Sequence, residues 1–336
     1  MEPDNRRLKK IHLVATGGTI ASQAKSRVST EGYTPSVISV DDLIAQIPEL
    51  SELAEMSAEQ IFLKPSSMIT EEDLFDLSDR VNELLASDDC DGVVITHGTD
   101  TMEETAFFLN LTVSSDKPVV ITGAMRPAHV ISSDGLLNLY NAVCCAASDE
   151  SRGMGVVIAM NDIILSARDA IKYSTFKVEA YQAPFYGVLG TIRNGKVSYA
   201  YRPVKCHTAS SPFSGKRLKL PPVEILYMYE GCNDTLFKAA LESGCKGIVT
   251  AGTGNGGVIT QIGQLYRSED KAVTDKLPIL VRSARVPTGG VSGAFRMGEK
   301  VIAAGDLNPQ KAYILLRLAL AVTDDPKKIA EYFDMF

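Results

Sequence analysis

The chain reads as an α/β protein of two units, and three observations predict this. Short β-branched apolar runs, such as 93–95 (VVI) and 118–122 (PVVIT), alternate with segments of helical character. Such runs suit strands buried on both faces, and the alternation implies a mostly parallel, helix-covered sheet with right-handed crossovers. A proline-rich, aperiodic stretch at 202–222 then interrupts the pattern, which restarts at 223–228. The length of 336 residues suits two domains of ordinary size. The expected organisation is a larger catalytic domain over 1–201, a linker over 202–222 and a smaller α/β domain over 223–336.

The elements follow in order. Residues 11–16 (IHLVAT) form the first buried strand, and Gly17-Gly18-Thr19-Ile20 a tight turn after it. Paired glycines there permit positive φ or close approach of backbone to a ligand. The turn lacks the third glycine of a dinucleotide fingerprint and the Lys-Ser/Thr of a P-loop. Residues 23–36 are polar, with Gly32 and Pro35, and read as a surface loop long enough to act as a lid, with Tyr33 its one large aromatic. A short helix begins at 41–46, a strand is expected at 61–63 before Pro65-Ser66-Ser67, and a helix runs from Thr70 to about Ala86. In 92–104 (GVVITHGTDTMEE) a strand breaks at His97-Gly98-Thr99 and a helix follows, with Thr101 and Glu104 at capping-box spacing. Further strands are expected at 118–122 and 155–160, a helix at 134–147, and a hairpin at 187–201 around Asn194-Gly195. In the second unit strands fall at 223–228, 247–250 and 278–281, and a helix near 235–242. Asn308-Pro309 opens another helix as cap and first position, and Asp325-Pro326 a last one.

Composition excludes several functions. The net charge of −7 and pI near 5.3, without a Lys/Arg cluster, argue against nucleic-acid binding. No apolar run approaches the ~20 residues that span a bilayer. The first ten residues are polar and the apolar run after them is too short for a signal-peptide core. Six cysteines show no C-x-x-C spacing, so reduced thiols and a cytoplasmic protein are expected. The four histidines lie far apart with no carboxylate or cysteine pattern, so no metal or cofactor is expected.

The chemistry then falls to hydroxyls. Thr19, Ser66, Thr99 and Asp100 sit at strand ends, where open α/β sheets bind ligands because backbone N–H groups converge on the crevice. A threonine nucleophile needs a base. Lys172 is one candidate, although its spacing in sequence cannot by itself bring it to Thr99, and composition alone favours a solvated lysine on a helical segment. His97 reads as a strand-end histidine bonded to backbone, and the G-x-S-x-G nucleophile elbow is absent.

Six stretches together resemble the bacterial-type L-asparaginase (asparaginase/glutaminase) family: ATGGTIAS at 15–22, THGTDTMEETAFFLNLTV at 96–113, GAMRP at 123–127, SSDGLLNLYNAV at 132–143, RVPTG at 285–289 and LNPQKA at 307–312. The first two are highly specific, and the likeness covers nearly the whole chain. It implies a large amino-terminal domain with a flavodoxin-like sheet and a smaller carboxy-terminal α/β domain. It implies a homotetramer, a dimer of intimate dimers, with each site at a subunit boundary, and L-asparagine as the small-molecule substrate. It places Thr19 at the nucleophile, Tyr33 at the lid tyrosine, and Thr99, Asp100 and Lys172 in a second hydroxyl–lysine cluster. Gly18, Ser66, Ser67, Thr99, Asp100 and Ala124 fall at substrate-binding positions: Ser66 for the α-carboxylate, Asp100 for the α-amino group, Ala124 for the side-chain amide.

The sequence departs from the family pattern in places. Tyr173-Ser174-Thr175 follow Lys172 in place of Thr-Asn. Ser67 stands where many members have Gln or Glu, Gly257 where a polar residue is usual, and Cys90 lacks a partner because Ser115 holds the other position. The loop after RVPTG is short and offers no clear counterpart of the acidic residue that reaches a neighbour's site. Two alternatives stay open. One is the amidase subunit of a tRNA-dependent amidotransferase, expected to carry an extra amino-terminal domain before its nucleophile. The other is a non-catalytic amino-acid sensor, expected to have lost Thr19, Thr99 or Lys172.

Overall fold

The computed structural model describes residues 7–29, 38–293 and 297–336. It divides into two compact units, Met1–Lys216 and Arg217–Phe336. In the first unit the chain runs β1 (Lys9–Ala15), α1 (Val40–Ala45), α2 (Leu50–Leu53), β2 (Ala54–Gln60), α3 (Glu71–Ala86), β3 (Gly92–Thr96), α4 (Met102–Thr112), β4 (Val119–Thr122), α5 (Gly135–Ala147), β5 (Val156–Met160) and β6 (Ile163–Ser166). A short pair, β7 (Ile171–Lys172) and β8 (Tyr181–Gln182), and a hairpin, β9 (Gly190–Arg193) and β10 (Lys196–Tyr199), complete it. Among the described residues eight strands form one sheet, ordered β10-β9-β6-β5-β4-β3-β1-β2. The strands β2-β1-β3-β4-β5 are parallel and follow the 2-1-3-4-5 order of flavodoxin-like folds. The order reverses between β1 and β3, so the connections leaving their carboxyl ends pass to opposite faces of the sheet, the place where such sheets bind ligands.

Both faces of this sheet are covered, as the continuous apolar runs require. Ile11 and Leu13 of β1 and Val94 of β3 pack with Leu139 and Val143 of α5 on one face. Val14 of β1 and Val93 and Ile95 of β3 pack with Leu77 and Val81 of α3 and Leu109 of α4 on the other. Phe75 meets Phe108 edge-on at 5.2 Å, locking α3 to α4. Thr70 caps α3 in a capping box with Asp73.

Three elements differ from the sequence expectation. The strand expected at 61–63 lies earlier, at β2, whose AEMSAEQ is too polar to stand out. It is the sheet's edge, with one row of side chains in water, and Ile61 and Phe62 pack on the core only after it ends. The hairpin of β5 and β6 turns through Asn161 and Asp162, with φ of 52° and 64°. Asn194-Gly195 make the same turn, but the first pair carries no glycine to betray it. Lys172 lies in β7, not on a helix.

The proline-rich stretch is anchored on the first unit in its earlier part. Phe213 is fully buried, Ser211 Oγ donates to the Leu111 carbonyl, and the Gly215 amide donates to the Thr112 carbonyl. The second unit runs β11 (Val223–Tyr227), α6 (Thr235–Glu242), β12 (Gly247–Gly252), α7 (Thr260–Tyr266), α8 (Lys271–Thr274), β13 (Ile279–Ala284), β14 (Val301–Ala303), α9 (Pro309–Leu320) and α10 (Pro326–Met335). Its four strands are parallel in sequence order. Asn308 caps α9 through its side chain, with Pro309 at the first turn. Among the described residues no helix is long and apolar enough to cross a membrane, and all six cysteines are free.

Candidate active site

The turn after β1 passes through Gly17 and Gly18 with φ of 106° and 90°, values that favour glycine. A Cβ on Gly18 would fall 2.5 Å from both Cα and N of Gly98, so the turns after β1 and β3 touch main chain to main chain. A Cβ on Gly98 would in turn lie 2.8 Å from Cβ and Oγ of Ser66, in the segment after β2. Thr16 ties the first two together, its Oγ1 donating to the Thr96 carbonyl at 2.8 Å. Glycine thus brings Gly18, Gly98 and Ser66 into one packed floor, and Thr19 opens a 3₁₀ turn on it. Thr19, Ser66 and Thr99 are all buried.

Thr101 precedes α4 but makes no side-chain cap, so the capping box expected with Glu104 is not formed. Its Oγ1 instead donates to the Ser66 carbonyl at 2.9 Å. The hydroxyl that a capping box would use to accept from the Glu104 amide donates to a tertiary partner here, and Thr101 staples the segment after β2 to the turn after β3.

Thr99 is held from several directions. Lys172 Nζ donates to Thr99 Oγ1 at 3.0 Å and pairs with Asp100 Oδ1 at 2.5 Å. The Lys172 side chain is 18% exposed and that of Asp100 70%, so the line runs from the interior to the crevice mouth. The Lys172 amide donates to the buried Glu103 carboxylate at 2.6 Å, which fixes β7 over α4. Tyr181, opposite Lys172 in the β7–β8 ladder, donates its hydroxyl to the Thr99 carbonyl at 2.5 Å. Burial raises the Tyr181 pKa well above that of an ordinary phenol, so it stays a donor.

His97 is fully buried, and desolvation pushes its pKa down to about 4. Its Nδ1 lies 2.7 Å from the Gly98 carbonyl, which can only accept, so Nδ1 carries the proton of the neutral ring. It is spent on orienting the Gly98 peptide, in line with the backbone-bonded histidine read from the sequence. Ala124, after β4, is buried. Its loop is fixed by Asp134, whose carboxylate accepts from the Met125 and Arg126 amides at 2.9 Å each, and by Asn138 Nδ2, which donates to the Gly123 carbonyl at 3.0 Å. A Cβ on Gly135 would meet Ile20 Cγ1 at 3.1 Å and Ala124 Cβ at 3.3 Å, so this loop packs beside the Thr19 turn.

Of the residues singled out from the sequence, Gly18, Thr19, Ser66, Thr99, Asp100, Ala124 and Lys172 therefore gather about the β1/β3 switch point. Ser67 is exposed beside Ser66, and Tyr33 lies outside the described residues. Gly257 belongs to the second unit, where its amide donates to the Thr253 carbonyl at 2.7 Å. Sequence reasoning missed Glu103, Asp134, Asn138 and Tyr181. The first three lie within stretches that carry the family resemblance. Tyr181 lies in none of them. Among the described residues no cluster of His, Cys, Asp and Glu suits a metal ion.

Comparison with known proteins gives the same direction. The family model "Asparaginase, N-terminal" matches residues 10–205, and "Glutaminase/Asparaginase C-terminal domain" matches residues 222–333. The chain is 46% identical to a Haemophilus influenzae protein named "Probable L-asparaginase periplasmic", over 98% of this chain and 93% of that one. It is 43% identical to "Glutaminase-asparaginase" of Pseudomonas aeruginosa, over 98% and 91%. Among solved structures, "Probable Cytoplasmic L-asparaginase from Campylobacter jejuni" superposes with a TM-score of 0.91 at 44% identity, covering 98% of this chain and all of that one.

Proposed function

The chain belongs to the asparaginase family, and on that premise we propose that it hydrolyses L-asparagine to L-aspartate and ammonia through a threonine acyl-enzyme. The observation that carries this reading is the Thr99–Lys172–Asp100 line at the mouth of the switch-point crevice, with the Thr19 turn packed against it. Thr19 Oγ attacks the amide carbon of asparagine. Backbone N–H groups of the turns after β1 and β3 face the oxygen that gains charge. The Thr19 proton ends on the departing nitrogen, relayed by Thr99 and Lys172, and ammonia leaves. Water then cleaves the Thr19 ester, with the same groups returning the proton. Ser66 receives the α-carboxylate, Asp100 the α-amino group and the Ala124 backbone the amide. The family resemblance assigns Tyr33 as the partner of the Thr19 hydroxyl. No metal or cofactor enters the scheme.

Ammonia release by the purified protein from asparagine, glutamine and their D-forms tests the reading, and no release from L-asparagine would refute it. We further propose that asparagine is preferred. Glutamine is longer by one methylene, which a pocket discriminates by about 1–3 kcal/mol. The anchors for its amino group look reduced, because Ser67 is short and Gly257 has no side chain. A kcat/KM for glutamine within about tenfold of that for asparagine would contradict this. Glu299, in the shortened loop after RVPTG, is the candidate to compensate, and a Glu299→Gln variant that loses amino-group recognition would show it.

The active species is proposed to be a homotetramer, with each site completed by a neighbouring subunit. Light scattering that finds a fully active monomer would count against it. We assign the enzyme to the cytoplasm on its free, largely buried cysteines. The name of the Campylobacter jejuni protein agrees and that of the Haemophilus influenzae relative does not, so fractionation of the source cells is the deciding measurement.

A further inference from the structure

The β7–β8 pair presents two side chains to the same residue. Lys172 and Tyr181 are directly opposite in an antiparallel ladder, where cross-strand neighbours project to one face. One donates to the Thr99 side chain, the other to the Thr99 main chain. On the other side, the His97 ring donates to the carbonyl of Gly98. The peptides before and after Thr99 are therefore each pinned by a buried side chain.

We propose that the Tyr181 hydroxyl is a positioning residue of the reaction, holding the Thr99–Asp100 peptide so that the Thr99 hydroxyl meets the Lys172 amine. A peptide is planar, so fixing the Thr99 carbonyl also fixes the direction of the Asp100 N–H. The Tyr181–Thr99 bond spans 82 residues of sequence and the Lys172–Thr99 bond spans 73. Both partners of Thr99 thus ride on one small ladder, and their spacing is set by strand geometry. The phenol is buried and protonated at any working pH, so this restraint does not titrate away. The inference rests on the asparaginase reading for its kinetic consequence, but not for its structural one.

Tyr181→Phe removes one oxygen and leaves the ring in its core site. The kcat for asparagine is expected to fall by about tenfold, the loss that one misaligned hydrogen bond brings. KM is expected to change by much less than kcat, because Ser66 and the Ala124 backbone, proposed to hold the α-carboxylate and the amide, are untouched. Tyr199→Phe is the control: its half-buried phenol bonds Ser151 Oγ at 2.9 Å at the far end of the sheet. It should cost comparable stability and leave kcat unchanged. An unchanged kcat in Tyr181→Phe, or an equal fall in both variants, overturns the proposal. Backbone hydrogen exchange over 97–104 supplies a readout independent of the substrate. Faster exchange in Tyr181→Phe than in wild type is expected even if the wild type releases no ammonia from asparagine, in which case only the asparaginase reading falls. Equal exchange overturns the positioning role.

Discussion

The turn after β1 and the turn after β3 carry the same local pattern, a β-strand followed by glycine and threonine, yet they are held in different ways. The Thr19 turn is closed by short-range bonds: the Ala21 amide to the Gly18 carbonyl at 3.1 Å, the Ser22 amide to the Thr19 carbonyl at 3.0 Å, and Ser22 Oγ to the Gly18 carbonyl at 2.9 Å. The Thr99 turn is closed by side chains from distant parts of the chain, Lys172 and Tyr181 above all. The difference teaches that equivalent motifs need not be equivalent parts. The Thr19 turn presents its hydroxyl on a tight main-chain loop, tied to its surroundings by further main-chain bonds, from the Ile38 amide to the Ala21 carbonyl at 3.0 Å and from the Ala128 amide to the Ser22 carbonyl at 3.2 Å. The Thr99 turn, held by side chains from distant parts of the chain, has its hydroxyl within hydrogen-bond distance of a lysine amine.

The strongest test of that division removes the hydroxyls themselves. Thr19→Ala and Thr99→Val are each expected to lower kcat/KM for asparagine by about a thousandfold or more, with Lys172→Met close behind, as for groups that act as a unit. Double variants should be little worse than singles. Substantial turnover in Thr19→Ala would move the nucleophile to the other turn and invert the comparison.

A smaller effect separates the two glycines. Gly18→Ala places a Cβ at a positive φ and 2.5 Å from Gly98 main chain, which cannot give way. A loss of about 3 kcal/mol in urea unfolding is expected. Gly98→Ala meets mainly the Ser66 side chain at 2.8 Å, so it should cost nearer 1–2 kcal/mol but weaken aspartate binding measurably. Equal stability losses with intact binding would show that the floor is softer than its spacing indicates.

An effect of similar size is pH-dependent and belongs to His97 in the Thr99 turn. Its pKa is lowered by burial from 6.5 to about 4. Below 6.5 the unfolded chain takes up a proton that the folded chain refuses, so the contribution is full above pH 6.5. It is lost as pH falls toward 4, amounting to about 2 kcal/mol between pH 7 and pH 5. A His97→Gln protein should show a shallower fall in stability over that interval. Parallel curves for the two proteins would remove His97 from the account.

Much of this was legible in the sequence, and the failures have physical causes. Strands buried on both faces declared themselves, since β3 and β4 are buried at every residue and β1 ends in the buried run Leu13-Val14-Ala15. The edge strand β2 did not, because half its side chains face water. Thr19, Ser66 and Thr99 were visible as hydroxyls at strand ends, and the family resemblance named their partners. Bottom-up spacing had no means of joining Lys172 to Thr99, since nothing local links residues 73 apart. Tyr181 was invisible for the same reason and lay outside every resembling stretch. Thr101 misled in the opposite direction: its capping-box spacing was real, but the Ser66 carbonyl competed successfully for its hydroxyl.

The contact of Gly18 with Gly98 also limits how this crevice can be re-engineered. Two main chains in touch leave no side chain to trim and no room to add one. The gauge of the crevice at that point is therefore invariant to substitution, and a library aimed at longer or shorter amides would be wasted on it. Variation has purchase only beside that floor, as at Ser67, which is exposed next to the buried Ser66. The spacing of the two turns is in this way fixed by main chain, while the surface beside it is free to drift.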